Sequence, residues 1–109
     1  MIYISGWVDV DSENIEEYAE AFDEAEKYLK NDVQVYSDTT IINSYRYFEA
    51  LYKQGKIKDR TEEIVERIKL ISQCDKIYML QGWEHDQTAR AEYEASRAMG
   101  KRYIYSRKF

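Results

Sequence analysis

Apolar and polar positions follow two periods along this chain. Ile2-Tyr3-Ile4-Ser5, closed by Gly6, predicts a short strand ending in a turn. Ile15, Tyr18, Ala19, Phe22, Ala25 and Leu29 recur at spacings of three and four, one face of an amphipathic helix. Asn14 with Glu17 resembles a capping box, and Asn31-Asp32 is a stop. Val33-Gln34-Val35-Tyr36 predicts a second strand before the turn-prone Ser37-Asp38. Tyr45, Phe48, Leu51 and Tyr52 predict a helix closed near Gly55. A further helix starts near Thr61, with Ile64, Val65, Ile68, Leu70 and Ile71 on its buried side. The apolar run Lys76-Ile77-Tyr78-Met79-Leu80 suits a strand covered on both faces. After a polar loop, a helix capped by Asp86 runs to Met99 and stops at Gly100. Tyr103-Ile104-Tyr105 centres a last strand.

The order strand–helix–strand–helix–helix–strand–helix–strand predicts an α/β chain. The expected form is a small Rossmann-like (flavodoxin-like) three-layer fold on a mostly parallel four-stranded sheet, with residues 1–109 forming one domain. Ligands of such sheets bind at the carboxyl ends of the strands, which selects the loops after Ser5, Tyr36 and Leu80.

Composition narrows the function classes. Charged residues are 34% of the chain, and no apolar run approaches the roughly 20 residues of a membrane span. The N-terminus lacks the pattern of a secretory signal, so a cytoplasmic setting and no membrane partner are expected. The single Cys74 excludes an internal disulfide, and one histidine, His85, argues against a metal site. Residues 1–40 carry eleven acids and two bases, whereas residues 41–109 carry fourteen bases and ten acids. The acidic front half argues against nucleic acid as a partner, because affinity for it comes mainly from Lys and Arg on phosphates. Eleven tyrosines suit a subunit interface, so a homo-oligomer is expected.

The richest candidate chemistry lies in Gln81-Gly82-Trp83-Glu84-His85-Asp86-Gln87-Thr88-Ala89-Arg90-Ala91-Glu92. Ala91, Ala95 and Ala98 share a side that packs close to the sheet, and Glu92 borders that stripe. Glu92 reads either as a carboxylate facing a pocket or as a boundary residue bonded to Arg or Tyr. Asp86 reads as a plain N-cap or as a site residue. Trp7 and Trp83 lie in loops expected to meet at one sheet edge, where both could stack on a base. Asp9, Asp11 and Glu13 alternate as calcium ligands do, but the glycine and distal glutamate of such a loop are missing.

The opening Ile2-Tyr3-Ile4-Ser5-Gly6, the first helix, Cys74-Asp75-Lys76-Ile77, Gly82-Trp83-Glu84 and Ala89-Arg90-Ala91-Glu92 together resemble a family widespread in bacteria and phages. It is related to the nucleoside 2-deoxyribosyltransferases and the deoxynucleotide N-glycosidases. The resemblance covers about two thirds of the chain. It implies that Glu92 is a nucleophile attacking the anomeric carbon of a deoxyribose. Asp86 would handle the base or its proton, and Tyr3 would approach the nucleophile. The logic is that of retaining glycosidases, with a covalent sugar ester formed through an oxocarbenium-like transition state.

The ligand-binding set implied on the same loops is Ser5, Gly6, Trp7, Gly82, Trp83, Glu84 and Thr88, with no cofactor. The chain departs from these relatives in three places. Thr88 and Arg90 occupy a turn that is glycine-rich in active enzymes. Arg67 stands where a substrate-holding aspartate is expected, and Arg90 is placed to pair with a carboxylate. Asp9 and Asp11 would repel a 5′-monophosphate. Two functions follow: an enzyme that cleaves or transfers the N-glycosidic bond of a deoxynucleoside-type ligand, or a non-catalytic binder that sequesters a nucleotide-like signalling ligand, as a phage-encoded protein could.

Overall fold

A computed structural model of the chain describes residues 1–8, 12–31 and 39–105. The elements are β1 (Ile2–Ser5), α1 (Ile15–Asn31), β2 (Ile41–Asn43), α2 (Ser44–Lys53), α3 (Arg60–Gln73), β3 (Lys76–Met79), α4 (Gln87–Ala98) and β4 (Arg102–Tyr105). The four strands form one all-parallel sheet in the order β2-β1-β3-β4. This is an α/β architecture compatible with a small Rossmann-like three-layer fold.

The two faces of the sheet follow from the alternation in β1. Ile2 and Ile4 point to the side where Phe22, Ala25 and Leu29 of α1 pack, together with Tyr78 and Leu80. Tyr3 points to the opposite side, where Ile71 of α3, Ala89 of α4, Ile77 and Met79 close the second core. β3 is apolar at every position after Lys76 because both its faces are covered.

The second strand differs from the expectation. Residues 33–36 lie outside the described residues, and the strand paired with β1 is Ile41–Asn43, with Ile2 opposite Ile41 and Ile4 opposite Asn43. Three residues are too few to show an alternation, and β2 runs into α2 with no loop between them. Asn43 ends the strand and starts the helix, its Oδ1 accepting the Arg46 amide at 3.2 Å.

α3 is rotated relative to the expected buried face. Asp59 caps it, its Oδ1 accepting the Glu62 amide at 2.9 Å. Val65 is 53% exposed, whereas Glu63 is only 5% exposed. Glu63, Arg67 and Ile71, spaced by four, form the inward stripe. An acid and an arginine occupy core-facing positions there because they pair with each other.

Candidate active site

Three segments converge at the carboxyl ends of the strands: the loop leaving β1, the start of α2, and the segment from β3 into α4. Their junction depends on one glycine. A Cβ on Gly6 would fall 2.8 Å from the Leu80 side chain, so only glycine allows this close approach. Ser44, the first residue of α2, donates its hydroxyl to the Ile4 carbonyl at 2.6 Å and fixes that helix start to β1. Asp86 closes the third side. Its Oδ1 accepts the Ala89 amide at 2.8 Å, and its Oδ2 accepts the Val8 amide at 3.1 Å. The expected cap is therefore present, and it also ties the β1 loop to α4.

The cavity between these segments, open on one side, measures about 310 Å³. Its lining combines the aromatic rings of Phe22, Tyr45, Phe48 and Tyr52 with the charged groups of Glu63, Arg67, Asp86 and Glu92, and includes Gly6 and Thr88. Apolar walls with a few convergent polar groups are the usual make-up of a small-molecule site.

Glu92 projects from α4 toward β1 and is 3% exposed. Tyr3 and Ser5, on the same face of β1, both donate their hydroxyls to it. The Tyr3 hydroxyl meets Oε2, and the Ser5 hydroxyl meets Oε1 at 2.8 Å. Arg67 Nη1 donates to the same Oε2 at 3.2 Å and to the Tyr3 hydroxyl at 3.1 Å. Oε2 is thus doubly engaged, while Oε1 accepts only from Ser5 among the described residues.

Burial pushes the Glu92 carboxyl above its ordinary value, although Arg67 and the two hydroxyls pull the other way. Burial, followed by the charge of Glu92, holds the Tyr3 phenol well above the usual range. The expectation that Arg90 would supply the partnering guanidinium is corrected. Arg90 is exposed on the far side of α4, and Arg67 fills that role.

A second buried acid, Glu63, was not among the sequence candidates. It lines the cavity one helical turn before Arg67. Its Oε2 accepts from Arg67 Nε at 2.7 Å and from Arg60 Nη1 at 2.6 Å, and its Oε1 accepts the Tyr52 hydroxyl at 2.6 Å. Burial alone would raise its carboxyl, but Tyr52 and the two arginines together hold it below the usual value. The bond from Glu63 pushes the Tyr52 phenol up to about 12. The i, i+4 spacing of Glu63 and Arg67 was the signal available in the sequence. Arg67 also lies over the Phe48 ring, 4.3 Å from its centroid, and Arg60 reaches across from α3 to the Thr88 hydroxyl on α4.

The remaining candidates divide. Gly6, Asp86, Thr88 and Glu92 line the cavity, and Tyr3 and Ser5 stand behind Glu92. Trp7 and Gly82 do meet, as expected of their loops. Gly82 has a φ of 91°, and a Cβ there would fall 3.1 Å from the Trp7 ring. Trp7 packs against Tyr18 and His85, with ring centroids 5.3 and 5.1 Å away. Trp83 turns to the other side, onto Tyr93 at 4.7 Å, and with Glu84 borders a separate shallow hollow. Trp83 and Glu84 therefore do not join Glu92 around one cavity. Asp9 and Asp11 lie outside the described residues. Among the described residues, no group of three or more His, Cys, Asp or Glu is placed to hold a metal ion, and no helix is long and apolar enough to cross a membrane.

Fold and site together define a small parallel α/β protein with a buried carboxylate near the carboxyl ends of its strands. The chain belongs to the family described as domain of unknown function DUF4406, whose model matches residues 1–105. No curated protein and no solved structure matches it.

Proposed function

We propose that this protein cleaves or transfers the N-glycosidic bond of a nucleoside-type ligand, with Glu92 as the nucleophile. The supporting observation is the Glu92 carboxylate, almost wholly removed from solvent, which lines a cavity at the strand ends with one oxygen doubly engaged and the other bonded only to Ser5 among the described residues. In this reading Oε1 bonds to the anomeric carbon as the carbon–nitrogen bond breaks, and the bonding pair stays with the base. The base takes a proton from water in the cavity as it leaves. Water or a second base then attacks the same carbon, and the ester pair returns to Glu92.

The aromatic lining suits the flat faces of a base, which stacking on such rings holds by about 1–3 kcal/mol. Asp86 keeps a lone pair on each oxygen to accept from that water or from an N–H of the base. The lining acids Glu49, Glu63, Asp86 and Glu92 outnumber Arg60 and Arg67, which favours a ligand without phosphate.

One observation favours a second reading. The Arg67 guanidinium on Glu92 stabilises a resting carboxylate, as suits a binder of a nucleotide-like ligand that performs no chemistry. Incubation with a nucleoside panel, with free base measured by chromatography, separates the two. Base release by the wild type that disappears in Glu92→Gln supports the enzyme. A rise in melting temperature without base release supports the binder. Release undiminished in Glu92→Gln rejects Glu92 as nucleophile.

A further inference from the structure

We infer that Arg67 is a specificity-determining residue that selects a sugar bearing a hydroxyl on the carbon next to the anomeric carbon, so that the ligand is a ribonucleoside rather than a deoxyribonucleoside. The inference rests on the glycosidic reading given above and goes beyond it to the sugar.

Arg67 spends its donors unevenly. Nε is bonded to Glu63, and Nη1 is shared between Glu92 and the Tyr3 hydroxyl. Nη2 donates to no oxygen among the described residues. None of the buried polar side-chain atoms there lacks a partner, so Nη2 opens on accessible space. The side chain is only 14% exposed and borders the cavity, which makes that space the cavity itself. Two N–H donors of a rigid fork are therefore left uncommitted among the described residues, on a side chain that lines the cavity beside the candidate nucleophile.

The charge of Arg67 is already balanced by Glu63 and Glu92 at its two ends. The open nitrogen therefore suits a neutral oxygen acceptor better than an anion. A sugar attacked by Glu92 offers two oxygens close to the reacting carbon: the ring oxygen and a 2′-hydroxyl. The ring oxygen gains positive charge in an oxocarbenium-like transition state, so a cationic donor there would oppose the reaction. The 2′-hydroxyl gains no such charge, and its contacts strengthen in that transition state. A 2′-deoxy sugar leaves Nη2 facing a C–H group, and a hydrogen bond to a charged group lost in this way corresponds to about a tenfold to hundredfold change.

The test compares matched pairs, adenosine with 2′-deoxyadenosine and uridine with 2′-deoxyuridine. It uses wild type, Arg67→Lys and Arg67→Met, each checked for folding by circular dichroism. Free base is followed by chromatography, and binding to Glu92→Gln by thermal shift. The expected result is a wild-type preference for the ribonucleoside of at least about tenfold in kcat/KM, or in affinity where no base is released. That ratio collapses toward unity in the Arg67 variants, a change that a merely structural arginine would not produce. Should Arg67→Met fail to fold, Arg67→Lys and the wild-type pair carry the comparison. Base release at equal or greater rate from the deoxynucleosides overturns this inference and leaves the glycosidic reading standing. A ratio unchanged in the folded variants also overturns it. Neither release nor binding with any of the four nucleosides refutes both.

Discussion

The Val8 amide donates to Asp86 Oδ2 at 3.1 Å, while Oδ1 of the same carboxylate accepts the Ala89 amide. One side chain thus caps α4 and fastens the loop leaving β1 to it. Asp86→Ala removes both bonds. A lost N-cap alone costs about 1 kcal/mol, and about 4–8 °C in melting temperature accompanies each kcal/mol for a domain of this size. We expect a drop of that order or greater in a thermal melt. Asp86→Asn keeps an oxygen for the cap but turns an amide toward a donor, and is expected to fall between wild type and Asp86→Ala.

Glu92 is raised above the ordinary glutamate value by burial. A nucleophile must be ionised, so base release is expected to fall off on the acid side at a pH higher than an exposed glutamate would give. A kcat/KM profile against pH measures this. Glu92→Gln is expected to lower base release by roughly a thousandfold or more, with the far-ultraviolet circular dichroism spectrum retained.

Glu63 shifts in the opposite direction: although burial opposes it, Tyr52 and the arginines hold its carboxyl below the ordinary glutamate value. A carboxylate lowered in the folded state adds stability that is present above about 4.5 and lost as pH falls through the folded value. Melting temperatures of wild type and Glu63→Gln are therefore expected to lie furthest apart at neutral pH and to converge in acid. A gap that widens on acidification would contradict the pairing described.

Cys74 is 1% exposed, and burial raises its thiol to about 11. The native protein is expected to resist alkylation by iodoacetamide at pH 7.5 and to label fully in denaturant, as mass spectrometry would record.

Gly6→Ala forces a methyl group to within 2.8 Å of Leu80. Such overpacking costs about 1–3 kcal/mol. The cavity mouth moves with it, so a loss of ligand-induced stabilisation is expected alongside the lower melting temperature.

Much of the scaffold was legible because its periods are long. α1 shows a four-turn apolar stripe and ends at Asn31 as read, and β3 announces double coverage by its unbroken run. β2 was not legible where it lies: three residues carry no period, and Asn43 serves strand and helix at once. On α3, the apolar Val65 suggested the wrong face. The inward stripe is written in charge, Glu63 with Arg67, a spacing that exposed pairs share, so its inward direction follows only from their partners Tyr52 and Glu92. Glu92, Asp86 and Tyr3 were named through the family resemblance, and the structure brings them together with Ser5 at one end of the sheet. Trp83 was misplaced because adjacent residues on a 3-10 turn, Trp83–His85, point in divergent directions.

Tyr3 and Ser5 reach Glu92 from alternate positions of one strand. A slip of β1 by a single residue against β2 and β3 would bring the aliphatic Ile2 and Ile4 up to a buried anion and strand two hydroxyls in hydrocarbon on the other side. Misregistered pairing is thereby penalised electrostatically as well as by packing, so the polar centre of this molecule also proofreads the alignment of its own sheet.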